Sequence, residues 1–162
     1  MNRISPLARI SALTDIERSV RGNIVIIGDH VTIDSFVKIK FAGGSGDVEV
    51  GDGSYLNSGV VIYSGNGVRI GKGVLIAANT TLAATNHEFR ARHETIVAQR
   101  FMPSRGGIQI DDDCWIGANC VLLDGTVLGK GCVVAAGTVV KGTWPDYAVI
   151  AGIPAKVVRF RE

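Results

Sequence analysis

At 162 residues with a formal net charge of +2, the chain has the length of one domain and no basic run dense enough for nucleic acid. No apolar stretch approaches the ~18 residues of a membrane span, and Met1 to Leu13 lack the continuous apolar run of a signal peptide, so a cytoplasmic protein is expected. Apolar residues make up 46% of the chain, yet only five Phe, two Trp and three Tyr are among the aromatics. That composition fits a narrow core of stacked aliphatics.

The leading residues, 1–23, carry a spacing of six (Ile4, Ile10, Ile16) that reads as an extra, irregular coil. From there an aliphatic residue returns at every sixth position in tracks: Ile27, Ile33, Ile39; Val50, Leu56, Ile62; Ile70, Ile76, Leu82; and Ile110, Ile116, Leu122, Leu128, Val134, Val140. Neither the helical period of 3.6 nor the strand period of 2 requires recurrence at six. A chain that turns a corner after each six residues does. Six extended residues span about 20 Å at ~3.3 Å each, one flat side of a coil. Three sides close it, so fifteen hexads between Ile27 and Lys141 predict about five coils of an all-β triangular prism.

A small or β-branched residue stands four places after each aliphatic one: Val31, Val37, Ser54, Val60, Val74, Thr80, Cys114, Cys120, Thr126, Cys132, Thr138. Both positions should point inward. The three cysteines all occupy this second position, which makes them small core residues rather than nucleophiles or metal ligands. The place directly after the aliphatic residue is often small (Gly28, Gly51, Gly71, Ala77, Gly117, Gly129, Ala135), where glycine is expected to permit corner backbone geometry.

The repeat is interrupted at Ser45 to Glu49, at Val68-Arg69, and on a larger scale at Glu88 to Gln109. This 22-residue segment carries Arg90, Arg92, His93, Arg100 and Arg105 beside Glu88 and Glu94. Loops of that length inside a compact domain tend to be functional or disordered. His87 stands directly before it. His30 occupies an outward position of an ordinary hexad, where a surface role is expected. Residues 142–162 form a short C-terminal segment of the same single domain.

The hexad pattern [LIV]-[GAED]-x-x-[STAV]-x resembles that of the hexapeptide-repeat acyltransferases, and the resemblance implies that the prism is a left-handed parallel β-helix. It covers residues 24 to 161 at the level of fold, and is nearer to the cell-surface polysaccharide O-acetyltransferases than to the galactoside and maltose enzymes. Thr85-Asn86-His87 is similar to the triplet that ends a coil before an extended loop in the sugar O-acetyltransferases. The resemblance therefore implies that His87 is the catalytic base, with His93 as the second choice, and that Asn57, Asn86 and His93 face the acceptor. Cys114-Trp115-Ile116-Gly117-Ala118, Val134-Ala135-Ala136-Gly137-Thr138-Val139-Val140-Lys141 and Ala151-Gly152-Ile153-Pro154-Ala155-Lys156-Val157-Val158-Arg159 are similar to family segments in order and spacing. On that basis Trp115, Ala118, Ala136, Lys141 and Arg159 border coenzyme A, although Lys141-Gly142 stands where many relatives have Thr-Lys. Acetyl-CoA as co-substrate, a saccharide acceptor, a homotrimer and no metal are the further implications.

Acetyl transfer to a hydroxyl needs a general base, and histidine titrates near working pH. The alternatives are an N-acetyltransferase of a nucleotide-linked amino sugar, a γ-class carbonic anhydrase, whose three-histidine spacing this chain does not match, and a non-enzymatic trimeric scaffold.

Overall fold

The computed structural model describes residues 1–162. Its strands are two to five residues long and fall into three stacks. The first face stacks Arg3–Ile4, Val25–Ile27, Val48–Val50, Val68–Ile70, Ile108–Ile110, Thr126–Leu128 and Thr143–Trp144. The second stacks Arg9–Ile10, Thr32–Ile33, Tyr55–Leu56, Leu75–Ile76, Trp115–Ile116, Val133–Val134 and Ala148–Ala151, with Lys156–Phe160 added antiparallel at the end. The third stacks Asp15–Ile16, Lys38–Lys40, Val61–Tyr63, Thr81–Ala83, Val121–Leu123 and Val139–Val140. All pairings except the last strand of the second face are parallel, as a chain that winds one way must make them.

The six-residue spacing of Ile4, Ile10 and Ile16 builds a first coil. Those residues pair in register with Ile27, Ile33 and Ile39 of the next coil. Each coil bonds to its neighbours rather than to itself. On the second face the N–H groups of Arg9, Thr32, Tyr55, Leu75 and Trp115 donate to the carbonyls of Val31, Ser54, Val74, Cys114 and Cys132, at 2.8–2.9 Å.

The periodic aliphatics from Ile27 to Val140 are all buried, and so is every residue assigned to the second inward position. The polar members of that second ladder are satisfied by corner carbonyls of an adjoining coil. The Ser54 hydroxyl donates to Gly71 and the Thr80 hydroxyl to Gly117, while the Cys114, Cys120 and Cys132 thiols donate to Gly129, Ala135 and Pro145. The Cys114 thiol is pushed up in pKa, first by its hydrogen bond with Cys132 and then by burial, and burial raises Cys120 as well. The core assignment of the cysteines holds.

The corner glycines serve a different purpose from the one expected. Gly28, Gly51, Gly71, Gly117 and Gly129 are not in the left-handed region. They are small because the next coil passes too close: a Cβ on Gly117 would meet the backbone nitrogen of Ala136 at 2.5 Å. The left-handed turn comes two residues later, at His30, Phe36, Gly53, Gly59, Gly73, Asn79, Asp113, Asn119, Gly131 and Gly137, with φ between 56° and 73°. Asn and Asp tolerate this conformation better than most side chains. His30 is one of these turn residues.

Every departure from period six falls at one edge of the prism, where the third face hands over to the first. The connections there are residues 17–24, 41–47, 64–67, 84–107, 124–125 and 141–142, whereas the other two edges keep a constant length through the first six coils.

Burial predicts where stability lies. Ile116→Ala (0% exposed) is expected to cost about 2–5 kcal/mol. Arg69→Ala, which removes an exposed ion pair with Glu49 at 3.8 Å, is expected to cost under about 1 kcal/mol. Urea denaturation with an unchanged m-value is the check.

Candidate functional site

Residues 84–107 leave the prism after its fourth coil and return to start the fifth. The two arms of this excursion are tied to each other at its base. His87 and Phe101 form an antiparallel bridge, the N–H of Met102 donates to the Asn86 carbonyl (2.8 Å), and the N–H of Glu88 donates to the Arg100 carbonyl (3.1 Å). Further out, the Gln99 amide holds both backbone groups of Ala91 at 2.9 Å. A single helical turn, Ile96–Gln99, is capped by Thr95, whose hydroxyl accepts from the N–H of Ala98.

The returning arm is fixed by Asp124. This carboxylate is 3% exposed and accepts the N–H groups of Arg105 and Gly107 (both 2.9 Å) and the Asn66 amide (3.1 Å). It joins three successive connections on the variable edge. On the outgoing side, Thr85 and Phe101 press against Gly43, where any Cβ would collide with both.

His87 itself is exposed, at the base of the loop. Its ring lies against Phe101, with centroids 4.8 Å apart and a 30° tilt. Its Nδ1 is 3.1 Å from the Arg100 carbonyl oxygen. A carbonyl can only accept, so Nδ1 carries the proton and Nε2 presents its lone pair outward. Next to it Glu88 is held ionised, its pKa lowered by the N–H groups of Arg90 and Phe89. A neutral imidazole with one nitrogen anchored and the other free is the form a general base needs.

The other residues singled out in the sequence divide between two edges and one face. Asn86 shares the edge of His87, and so does Lys141, in the connection 141–142 two coils on. His93 is in the outer loop, with an exposed side chain 3.8 Å from Glu94. Asn57, Ala118 and Ala136 follow second-face strands and line the opposite end of the third face. The N–H of Gly137, beside Ala136, donates to the Ala118 carbonyl at 2.9 Å. Trp115 points outward from the second face, 53% exposed, stacked between Leu75 and Val133. With Tyr55, Asn57, Leu75, Ile76 and Ala77 it forms a shallow groove of about 250 Å³. Arg159 lies on the terminal antiparallel strand of the same face, opposite Val149. One chain therefore brings His87, Asn86 and Lys141 to one edge, and Trp115, Asn57, Ala118 and Ala136 to another, with the third face between them. His30 lies at a corner of the second coil, apart from both other histidines.

A larger depression of about 660 Å³ runs along the first face and holds none of these residues. Its charges answer one another, Lys72 with Asp52 at 2.9 Å and Arg69 with Glu49.

Asp124 escaped the sequence reading because it sits inside a hexad that obeys the period. Only the Asp-Gly pair at 124–125, a turn signal, marks it.

Residues 107–142 match the family model described as bacterial transferase hexapeptide (six repeats). Over 57 residues, 35% of this chain, the sequence is 51% identical to the 2,3,4,5-tetrahydropyridine-2,6-dicarboxylate N-acetyltransferase of Staphylococcus aureus; the match spans 24% of that protein's length. The structure superposes on AntD, an N-acyltransferase from Bacillus cereus in complex with dTDP and coenzyme A, with a TM-score of 0.80 at 20% identity, covering 99% of this chain and 84% of that one. It also superposes on the hexapeptide-repeat containing acetyltransferase VCA0836 from Vibrio cholerae, with a TM-score of 0.64 at 33% identity, covering 70% and 62%. The prism is a left-handed parallel β-helix, and the chain resembles the hexapeptide-repeat acyltransferases. No helix is long and apolar enough to cross a membrane.

The geometry makes Asp124 the anchor of the loop. Asp124→Ala leaves two buried amides unsatisfied, at about 1–3 kcal/mol, and limited trypsin digestion is expected to cut at Arg90, Arg92, Arg100 or Arg105 faster than in the wild type.

Proposed function

We propose that the chain is an acetyl-CoA-dependent O-acetyltransferase acting in the cytoplasm on a hydroxyl of a sugar or polysaccharide precursor, by direct transfer with His87 as general base. The observation that carries the reading is the anchoring of Nδ1 on the Arg100 carbonyl, which leaves Nε2 free at the mouth of the loop. The hexapeptide match over residues 107–142 and the acetyltransferase from Vibrio cholerae on the same fold support it.

An alcohol is not ionised near neutrality, so its proton must leave as its oxygen attacks the thioester carbonyl. Nε2 accepts that proton. When the C–S bond breaks, the imidazolium returns it to the departing sulfur, and no covalent bond to the enzyme is needed. Phe101 behind the ring and the Arg100 carbonyl at Nδ1 hold the base in one tautomer and orientation. A positioned base contributes about 10²- to 10⁴-fold. The residues present suit coenzyme A: the Tyr55–Leu75–Trp115 groove offers an apolar wall for a pantetheine arm, and the exposed cations Lys141 and Arg159 suit its phosphates. Asn57, Asn86 and His93 are assigned to the acceptor.

Because the base and the groove lie on different edges of one prism, the reading calls for a second copy of the chain to complete each site. A cyclic trimer does this three times over, setting the His87 edge of one subunit against the Trp115 face of the next.

N-acetylation of a nucleotide-linked amino sugar is the second reading. It is favoured by the N-acyltransferase from Bacillus cereus, whose complex holds dTDP and coenzyme A on this fold.

His87→Ala is expected to lower coenzyme A release with the best acceptor from a panel of sugars and nucleotide sugars by about 10²- to 10⁴-fold; full activity in the variant would remove the base. Separately, His87→Ala and Trp115→Ala chains, each impaired alone, are expected to recover activity when co-expressed, because mixed assemblies contain sites with both residues intact. A monomer in sedimentation, or no recovery, would contradict the shared site.

A further inference from the structure

We infer that Arg100 is a substrate-binding residue, its guanidinium receiving a phosphate or carboxylate beside His87. The inference rests on the acyl-transfer reading of that site.

Arg100 sits directly after the helical turn Ile96–Gln99 with φ 65° and ψ −128°. This is the first central position of a type II′ turn, a conformation suited to glycine and disfavoured for a residue with a Cβ. Such strain persists only where the surroundings impose it, and it gathers at functional sites. The surroundings here do impose it. The Arg100 carbonyl must accept from both the Glu88 N–H and His87 Nδ1, while the next residue lays its ring on His87 and the one after bonds back to Asn86.

All of that is backbone work, which glycine would do with less strain. The arginine side chain has no such part in holding the loop. It is exposed, it makes no hydrogen bond within the chain, and none of the chain's ion pairs includes it. The carboxylates of the loop are engaged elsewhere. Glu88 is held by the amides of Phe89 and Arg90 and faces Arg90 at 3.8 Å, and Glu94 faces His93 at 3.8 Å. A strained position thus keeps an uncompensated cation one peptide away from the group that orients the base. The planar guanidinium fork matches a carboxylate or phosphate in two-point contact.

The anion has two possible sources, the phosphates of coenzyme A or an acidic acceptor such as a uronate, a sialate or a sugar phosphate. Arg100→Gly keeps the carbonyl and relieves the turn, so the variant is expected to fold with a melting temperature at or above the wild type's. The KM for one substrate should rise on the order of 10- to 100-fold, the range for a lost charge-assisted hydrogen bond, while kcat and its pH profile stay in place. Arg100→Lys should recover part of the loss. A raised KM for acetyl-CoA assigns the contact to coenzyme A; a raised KM for acidic but not neutral acceptors assigns it to the acceptor. Titration calorimetry with coenzyme A, glucuronate, sialate and glucose 1-phosphate reads the same contact without turnover. Unchanged affinities and KM values for all of these overturn the inference, as does a loss confined to kcat with a shifted pH profile, which would trace the effect to the hold on His87. Full activity in His87→Ala would instead remove the base assignment, whatever Arg100→Gly does to binding.

Discussion

Each coil of this chain makes its hydrogen bonds with the coils on either side, and that constraint governs where anything else can be placed. A residue added within a face would shift the register of its strand by one and turn its inward side chains outward. Residues can be added only where the chain is already leaving one stack and has not yet joined the next. The structure uses one of its three edges for this, and there the connections range from two residues at 124–125 to twenty-four at 84–107. The other two edges stay constant, so the ladders of Ile, Leu and Val remain continuous through the core.

Concentrating the irregularity on one edge also stacks it. The connections at 64–67, 84–107 and 124–125 lie one above the other, which is why a carboxylate from the shortest of them can hold the longest. Asp124 reaches Arg105, Gly107 and Asn66 at once, residues up to 58 positions apart, without leaving its own hexad. A buried carboxylate satisfied by neutral donors needs no cation and leaves the arginines of the loop free of structural duty. The loop is anchored from beneath, and its charged groups face outward.

The ladders were legible in the sequence because burial of a solenoid core is a one-dimensional pattern: each inward position recurs, and a single hydrophobic period reports it. The cysteines could be placed by the same logic, since Cys114 and Cys132 occupy rungs where other coils carry Val or Ser. The excursion after His87 was legible as a failure of that pattern. What stayed hidden depends on contacts between coils. Gly117 looks like a turn glycine but is small because Ala136 crosses over it, and the true turn falls two residues on at Asn119. Asp124 obeys the period and so gives no sign of its partners. Arg100 is harder still: a glycine there would have announced its turn, whereas an arginine conceals it.

That concealment bears on how such a site can vary. The base is oriented by a carbonyl, and a carbonyl is supplied by any residue that can be forced into the turn. The orientation of His87 is therefore separable from the identity of the side chain at 100, and the chain can change what it presents beside the base without disturbing the imidazole. The same holds for the outer loop at 90–94, which hangs beyond the Gln99–Ala91 clamp. The groove at Trp115 is different, because Tyr55, Leu75 and Trp115 stand on consecutive rungs of a face whose inner side is the core. Binding surface on the face is tied to the packing of the prism, while binding surface on the edge is not. In an enzyme built this way the common donor belongs on the face and the variable acceptor on the edge, and the division of residues between the two agrees with that assignment.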